Sequence, residues 1–156
     1  MATLDYTGSS VAGALPPNVY AANAYFAPLY RRLVVADIIA ADTTMTSNGY
    51  ITADDIIQAI HVSIGFAFLK AALRIITACT TSVNCEVGLA GGAEAIASMD
   101  VDGTAGTITT TIETDSWAGG KVFYANDTID VQFITANCVV GDLELFVLGH
   151  QLVLGT

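Results

Sequence analysis

The residues best suited to chemistry in this chain are two histidines, three cysteines, one tryptophan and a short acidic run. His61 and His150 each lie inside an apolar stretch, as in Ala59-Ile60-His61-Val62 and Leu148-Gly149-His150-Gln151-Leu152. A catalytic base must reach a nucleophile and be oriented by a third group. No G-x-S-x-G elbow offers such a nucleophile, so each imidazole reads as buried or at a subunit contact, with its hydrogen bond satisfied. Cys79, Cys85 and Cys138 have neither C-x-x-C spacing nor a histidine at zinc-ligand distance, which argues against structural zinc. Cys79 and Cys85 could face each other across a hairpin, but the odd count favours free, buried thiols.

Asp100-Val101-Asp102-Gly103-Thr104, with Glu94 upstream, is the stretch most like a metal loop. Calcium takes roughly six to eight oxygen ligands. Here a third Asp and a closing Glu are missing, and a solvated acidic turn is expected. The Gly-rich runs 88–92 and 103–106 lack a P-loop ending and G-x-G-x-x-G spacing, so they read as turns. Trp117, between Asp115 and Gly119-Gly120, could stack on a sugar ring or anchor an interface if exposed, or pack over the end of a domain. No catalytic residue, metal ligand set or cofactor motif emerges, and an enzyme is not expected.

Composition points instead to contact surfaces. Of 156 residues, 53% are apolar and 13% charged, against roughly a quarter charged in ordinary soluble domains. Mean hydropathy is +0.59. A surface so poor in charge needs cover, and self-association or docking to a partner supplies it. Fifteen acidic residues against five basic ones give a net charge of −10. Arg31-Arg32 is the sole basic cluster, which disfavours binding nucleic acid through its phosphates and binding an anionic membrane. The longest apolar region, 56–77, is broken by Gln58, His61, Lys70 and Arg74 and cannot cheaply span a bilayer. Residues 1–10 lack a basic start and include Asp5, so no secretion signal is read there. Synthesis in a reducing cytoplasm is expected.

A single domain of this length buries a core without disulfides or metal. Frequent Gly, scarce Pro and recurrent Thr, Val and Ile favour strands joined by tight turns. Residues 1–30 read as an irregular arm. Leu15-Pro16-Pro17-Asn18 blocks helix there, and Tyr20, Tyr25, Phe26 and Tyr30 suit packing on the same domain or on a neighbouring subunit. Residues 31–156 form the sandwich domain. Its first strand is expected at 31–39, with a polar loop at 42–48 and a turn at Asn48-Gly49. Over 52–73 a helix capped by Thr52 competes with strands at 55–62 and 66–77; the β-branched run from Ile60 to Ile64, then Gly65, favours strands. A strand at 84–89 and one helical turn at 93–99 follow. Strands at 108–112, 121–124 and 128–135, then a long closing strand at 143–154, complete the set. The expected fold is all-β, about eight strands in an antiparallel β-sandwich of jelly-roll type.

This ordering resembles the small jelly-roll decoration (cement) proteins on the heads of tailed bacteriophages. The resemblance lies in rhythm over 31–154. It includes Leu33-Val34-Val35-Ala36-Asp37-Ile38-Ile39 after an arm, the turn near Gly65 and the strand ending at Thr77-Ala78. It continues with Val87-Gly88-Leu89 before a Gly-rich loop and Asn126-Asp127-Thr128-Ile129-Asp130-Val131 ahead of the last strand after Gly141. The closing run departs from the pattern by continuing through His150 to Leu154. The resemblance implies a virion structural protein on the capsid surface that bridges capsomers against the pressure of packaged DNA. Its implied partners are itself, often as a homotrimer, and a major capsid protein. No catalytic residue is transferred. Tyr20, Tyr25, Phe26, Tyr30, Arg31, Arg32 and Trp117 are the candidate interface residues. A tail, neck or coat subunit is one alternative. A carbohydrate- or receptor-binding module built on Trp117 is another, and Trp117→Ala would then abolish glycan binding.

Overall fold

The computed structural model describes residues 3–5, 27–80, 82–89, 94–111 and 117–152. The first half of that chain holds β1 (Thr3–Asp5), β2 (Ala27–Val34), α1 (Val35–Ala41), α2 (Thr43–Asn48), β3 (Ile56–Val62) and β4 (Phe66–Thr77). The second half holds β5 (Asn84–Gly88), β6 (Glu94–Asp100), β7 (Ile108–Thr110), β8 (Lys121–Val122), β9 (Asp127–Ile134) and β10 (Asp142–Gln151). One sheet runs β1-β3-β9-β5-β6; the other runs β2-β10-β4-β7, with β8 also paired to β4. The ladders are antiparallel except that β1 lies parallel to β3. From β2 onward the strands distribute between the sheets in jelly-roll order.

Period-2 alternation decides which side chains enter the core. On β10, Leu143, Leu145 and Val147 are fully buried, while Glu144, Phe146 and Leu148 lie on the opposite face. Leu33, Leu73 and Ile75 join them from β2 and β4. The facing sheet supplies Ile57, Cys85, Val87, Ile129, Val131 and Phe133. Burying each large aliphatic or aromatic side chain stabilises the fold by about 1.5–3 kcal/mol relative to leaving it exposed.

The two strands expected at 55–62 and 66–77 form, and Gly65, with φ +87, sits in the turn that carries the chain from one sheet to the other. Strands also occupy the regions expected at 84–89, 108–112, 128–135 and 143–154, the last ending at Gln151 among the described residues. Three local expectations are corrected. The first strand ends at Val34 rather than Ile39, because the chain turns into α1 and buries Val35 and Ile38, one helical turn apart. The Val35 N–H donates to the Gly141 carbonyl at 3.0 Å, which fixes that departure point.

The expected polar loop at 42–48 is helix α2. Asp42 Oδ1 accepts from the N–H groups of Thr44 and Met45 at 2.8 and 2.9 Å. This is N-capping, and it seats Met45 in the core. Gly49, with φ +75, closes the helix by donating to the Met45 carbonyl. The helical turn expected at 93–99 is strand β6, paired antiparallel to β5, with Ala95, Ile96 and Met99 buried. The free edge of β5 outweighs the weak local preference of an Ala-rich segment.

Candidate functional site

The outward face of the β2-β10-β4-β7 sheet is built from register. Across it, Glu144 on β10 stands between Arg32 on β2 and Arg74 on β4, and Phe146 stands between Tyr30 and Ala72. Thr110 on β7 continues the second row beyond Ala72. The charged row is satisfied within the sheet. Arg32 Nε donates to Asp142 Oδ1 and Oδ2 at 2.9 and 3.2 Å, and the Arg32–Asp142 ion pair is reinforced by a second guanidinium nitrogen. Arg74 Nε donates to Glu144 Oε2 at 2.8 Å, again as part of an ion pair. The Tyr30 hydroxyl donates to Glu144 Oε1 at 2.8 Å. Burial, then Glu144, push the Tyr30 hydroxyl pKa above its ordinary value, while the Asp142 carboxylate holds Arg32 still more firmly protonated.

Beside that row lies an apolar strip. The Tyr30 and Phe146 rings pack with centroids 5.0 Å apart and tilted by 45°. A groove of about 160 Å³ is lined by Lys70, Ala72, Thr110, Phe146 and Leu148, with Ala72 as its small-residue floor. Leu148 and Ile108 remain 38% and 57% exposed. The arrangement suits a contact surface, with an aromatic–aliphatic patch beside charges already compensated.

The expected interface residues divide. Tyr30 and Arg32 are on this face; Arg31 is next to them in sequence but buried. Trp117 is also buried, at 2% exposure, with its ring 4.9 Å from Phe68 and 5.7 Å from Phe123 in edge-on geometry. That is the packing alternative, and it closes the indole to sugar stacking. Lys121 Nζ lies 5.3 Å from the Trp117 ring centroid. Tyr20, Tyr25 and Phe26 lie outside the described residues. Sequence reasoning missed Phe146, Leu148, Ala72, Arg74 and Glu144. The signal was present in the closing strand, where Phe146 and Leu148 share the phase of Glu144 rather than that of Leu143 and Leu145.

The residues first considered for chemistry are scattered. His61 is exposed on β3, which leaves the subunit-contact half of its expectation, and His150 is half-buried on β10 in the other sheet. All three cysteines are free and buried, as favoured. Cys79 and Cys138 lie close enough to interact electrostatically. Asp100 Oδ1 accepts from the Asp102 N–H at 3.1 Å, and the Asp102 carboxylate accepts from the Ser82 N–H. Sharing with Asp102 pushes the Asp100 carboxyl up; the Ser82 N–H, first, and Asp100 hold Asp102 down. This is an acidic turn bonded to itself and to its neighbour. Among the described residues no three His, Cys, Asp or Glu side chains converge as a metal site, and no helix is long and apolar enough to cross a membrane.

No protein-family model and no curated protein matches the chain. Solved structures do share its fold. A chain from the capsid of Ralstonia phage GP4 superposes with a TM-score of 0.65 at 14% identity, covering 99% of both chains. One from the capsid asymmetric unit of cyanophage Pam1 gives 0.58 at 18% identity over 94% of this chain and 99% of that one. A third, from the acid-stable capsid of Helicobacter pylori bacteriophage KHP30, gives 0.53 at 11% identity over 80% and 86%.

Proposed function

We propose that this chain is a structural, non-enzymatic protein of a bacteriophage virion, and specifically a decoration (cement) subunit that sits on the capsid surface and bridges capsomers. The observation that carries the reading is the outward face of β2-β10-β4-β7, an apolar strip and groove left uncovered on a jelly roll whose fold recurs in three phage capsid structures. Another protein can cover that strip with Lys70 as the one basic group to be met, since Arg32, Arg74, Asp142 and Glu144 already compensate one another. The partners are further copies of the chain, as a homotrimer, and the major capsid protein. Tyr20, Tyr25 and Phe26 add aromatic contact area to the same assembly.

The test is sedimentation of the purified protein with heads that lack it, alongside light scattering of the free protein. Trimer mass in solution and saturable binding to heads are expected, and Phe146→Gln combined with Leu148→Gln should remove the binding while leaving a folded sandwich. A strict monomer that never sediments with heads overturns the reading.

A further inference from the structure

The Cys79–Cys138 pair has no part in the proposed docking. The two residues are about 60 positions apart in sequence, yet a bond from Val139 to Thr80 joins their loops, while Ile51 and Val101 anchor Cys138 and Cys79 in place. Ile51 and Cys138 exchange backbone hydrogen bonds at 2.9 and 2.8 Å, and the Val139 N–H donates to Thr80 Oγ1 at 2.8 Å. The Cys79 N–H donates to the Val101 carbonyl at 2.8 Å. The approach is close enough that a Cβ at Gly141 would collide with the Cys79 sulfur and lie 3.2 Å from its Cα. Cys138 Sγ is 3.3 Å from the Val140 carbonyl oxygen, and Val139 and Val140 are exposed, so the pair lies just beneath a surface loop.

From this juxtaposition we infer that Cys79 and Cys138 form a single intramolecular disulfide when the protein meets a mild oxidant such as hydrogen peroxide. The Cys138 thiolate sulfur attacks one peroxide oxygen, cleaving the O–O bond to give a sulfenic acid and hydroxide. The Cys79 sulfur then attacks the sulfenic sulfur and gives up its proton, and water leaves. Overall two thiols lose two electrons and two protons, and one peroxide becomes two waters. The same bond results if Cys79 is oxidised first and the two roles are exchanged. Cys85, fully buried on β5 and pushed up by burial, stays reduced. The bond would tie the loop after β4 to the loop before β10, the two strands at the centre of the sheet that carries the apolar face. On the virion reading, a particle leaving a reducing cell for an oxidising medium meets the change that closes it.

The experiment treats the full chain with a small excess of peroxide. It counts thiols after denaturation, maps linkages in a non-reducing digest by mass spectrometry and follows thermal unfolding. The expected result is loss of two of the three thiols, a Cys79–Cys138 linkage within one chain, and an unfolding midpoint higher by roughly 10 °C. Cys85→Ser should keep that rise, whereas Cys79→Ser and Cys138→Ser should lose it. Three titratable thiols after treatment, a linkage through Cys85, a linkage between chains, or sulfinic acid in place of the disulfide each overturns the inference. The linkage map is read on the wild-type chain, so it decides the matter even if a serine variant fails to fold. None of these readouts involves heads, so the bond and the virion role can fail independently.

Discussion

The two sheets share one core yet turn different outer faces to their surroundings. Every Lys and Arg in the chain belongs to the β2-β10-β4-β7 sheet with its β8 branch: Arg31 and Arg32 on β2, Lys70 and Arg74 on β4, and Lys121 on β8. The other sheet carries none. Its outward rows place Gln58 opposite Asp130 and Glu86 opposite Gln132, and Asn84 Nδ2 donates to Ser98 Oγ at 3.4 Å. One face is therefore aromatic with two neutralised charge pairs and Lys70, and the other is polar without a basic group. Core formation asks only that alternate residues point inward. It leaves the outward set free, so the Tyr30–Phe146–Leu148 strip is not required by the core, which is why the proposed docking is placed there.

The contrast can be tested by substitution, beginning with adjacent residues on β10. Leu145→Ala removes a fully buried side chain and should cost about 2–5 kcal/mol in urea unfolding. Phe146→Gln, one residue on, should change stability by less than about 1 kcal/mol yet weaken association with heads by roughly 100-fold. If both variants merely destabilise, the outward strip is only additional core. Arg74→Gln breaks a half-exposed pair and should cost about 1 kcal/mol or less, with the loss shrinking in high salt as thermal melts at two ionic strengths would reveal. On the other sheet, Gln132→Lys should stay within about 0.5 kcal/mol and leave head binding intact. An equal loss of binding there would erase the distinction between faces.

The smallest effect concerns pH. Because the folded-state Tyr30 hydroxyl titrates above its ordinary value, its contribution is complete below the unfolded pKa of about 10 and is lost as pH rises through the higher folded one. Ultraviolet titration should find a late-ionising tyrosine that is absent in Tyr30→Phe, and that variant should show a flatter alkaline stability curve.

Much of the fold was legible where the pattern was local. Ile129, Val131 and Phe133 alternating with Asp130 and Gln132 announce β9, and Gly65 between two apolar runs announces the turn between β3 and β4. The stretch 35–48 misled because Val35, Ile38 and Ile39 suit a strand, whereas the chain places Val35 and Ile38 on the buried side of α1, and Asp42 and Gly49 cap the separate helix α2. β6 was illegible because only its partner β5 makes it a strand. For the candidate face, Tyr30 and Arg32 could be singled out, but their partners could not.

Composition and alternation alone determined the all-β class, the low and one-sided charge, and the lack of any catalytic motif, because each is a property of residue type or of spacing over a few positions. Tertiary structure decided which outward residues meet. The Tyr30–Glu144 bond spans 114 residues, and the Cys79–Cys138 contact and the burial of Trp117 likewise join distant segments. Such pairings follow from the register of whole strands, a free energy summed along each ladder, and no short window of sequence contains it.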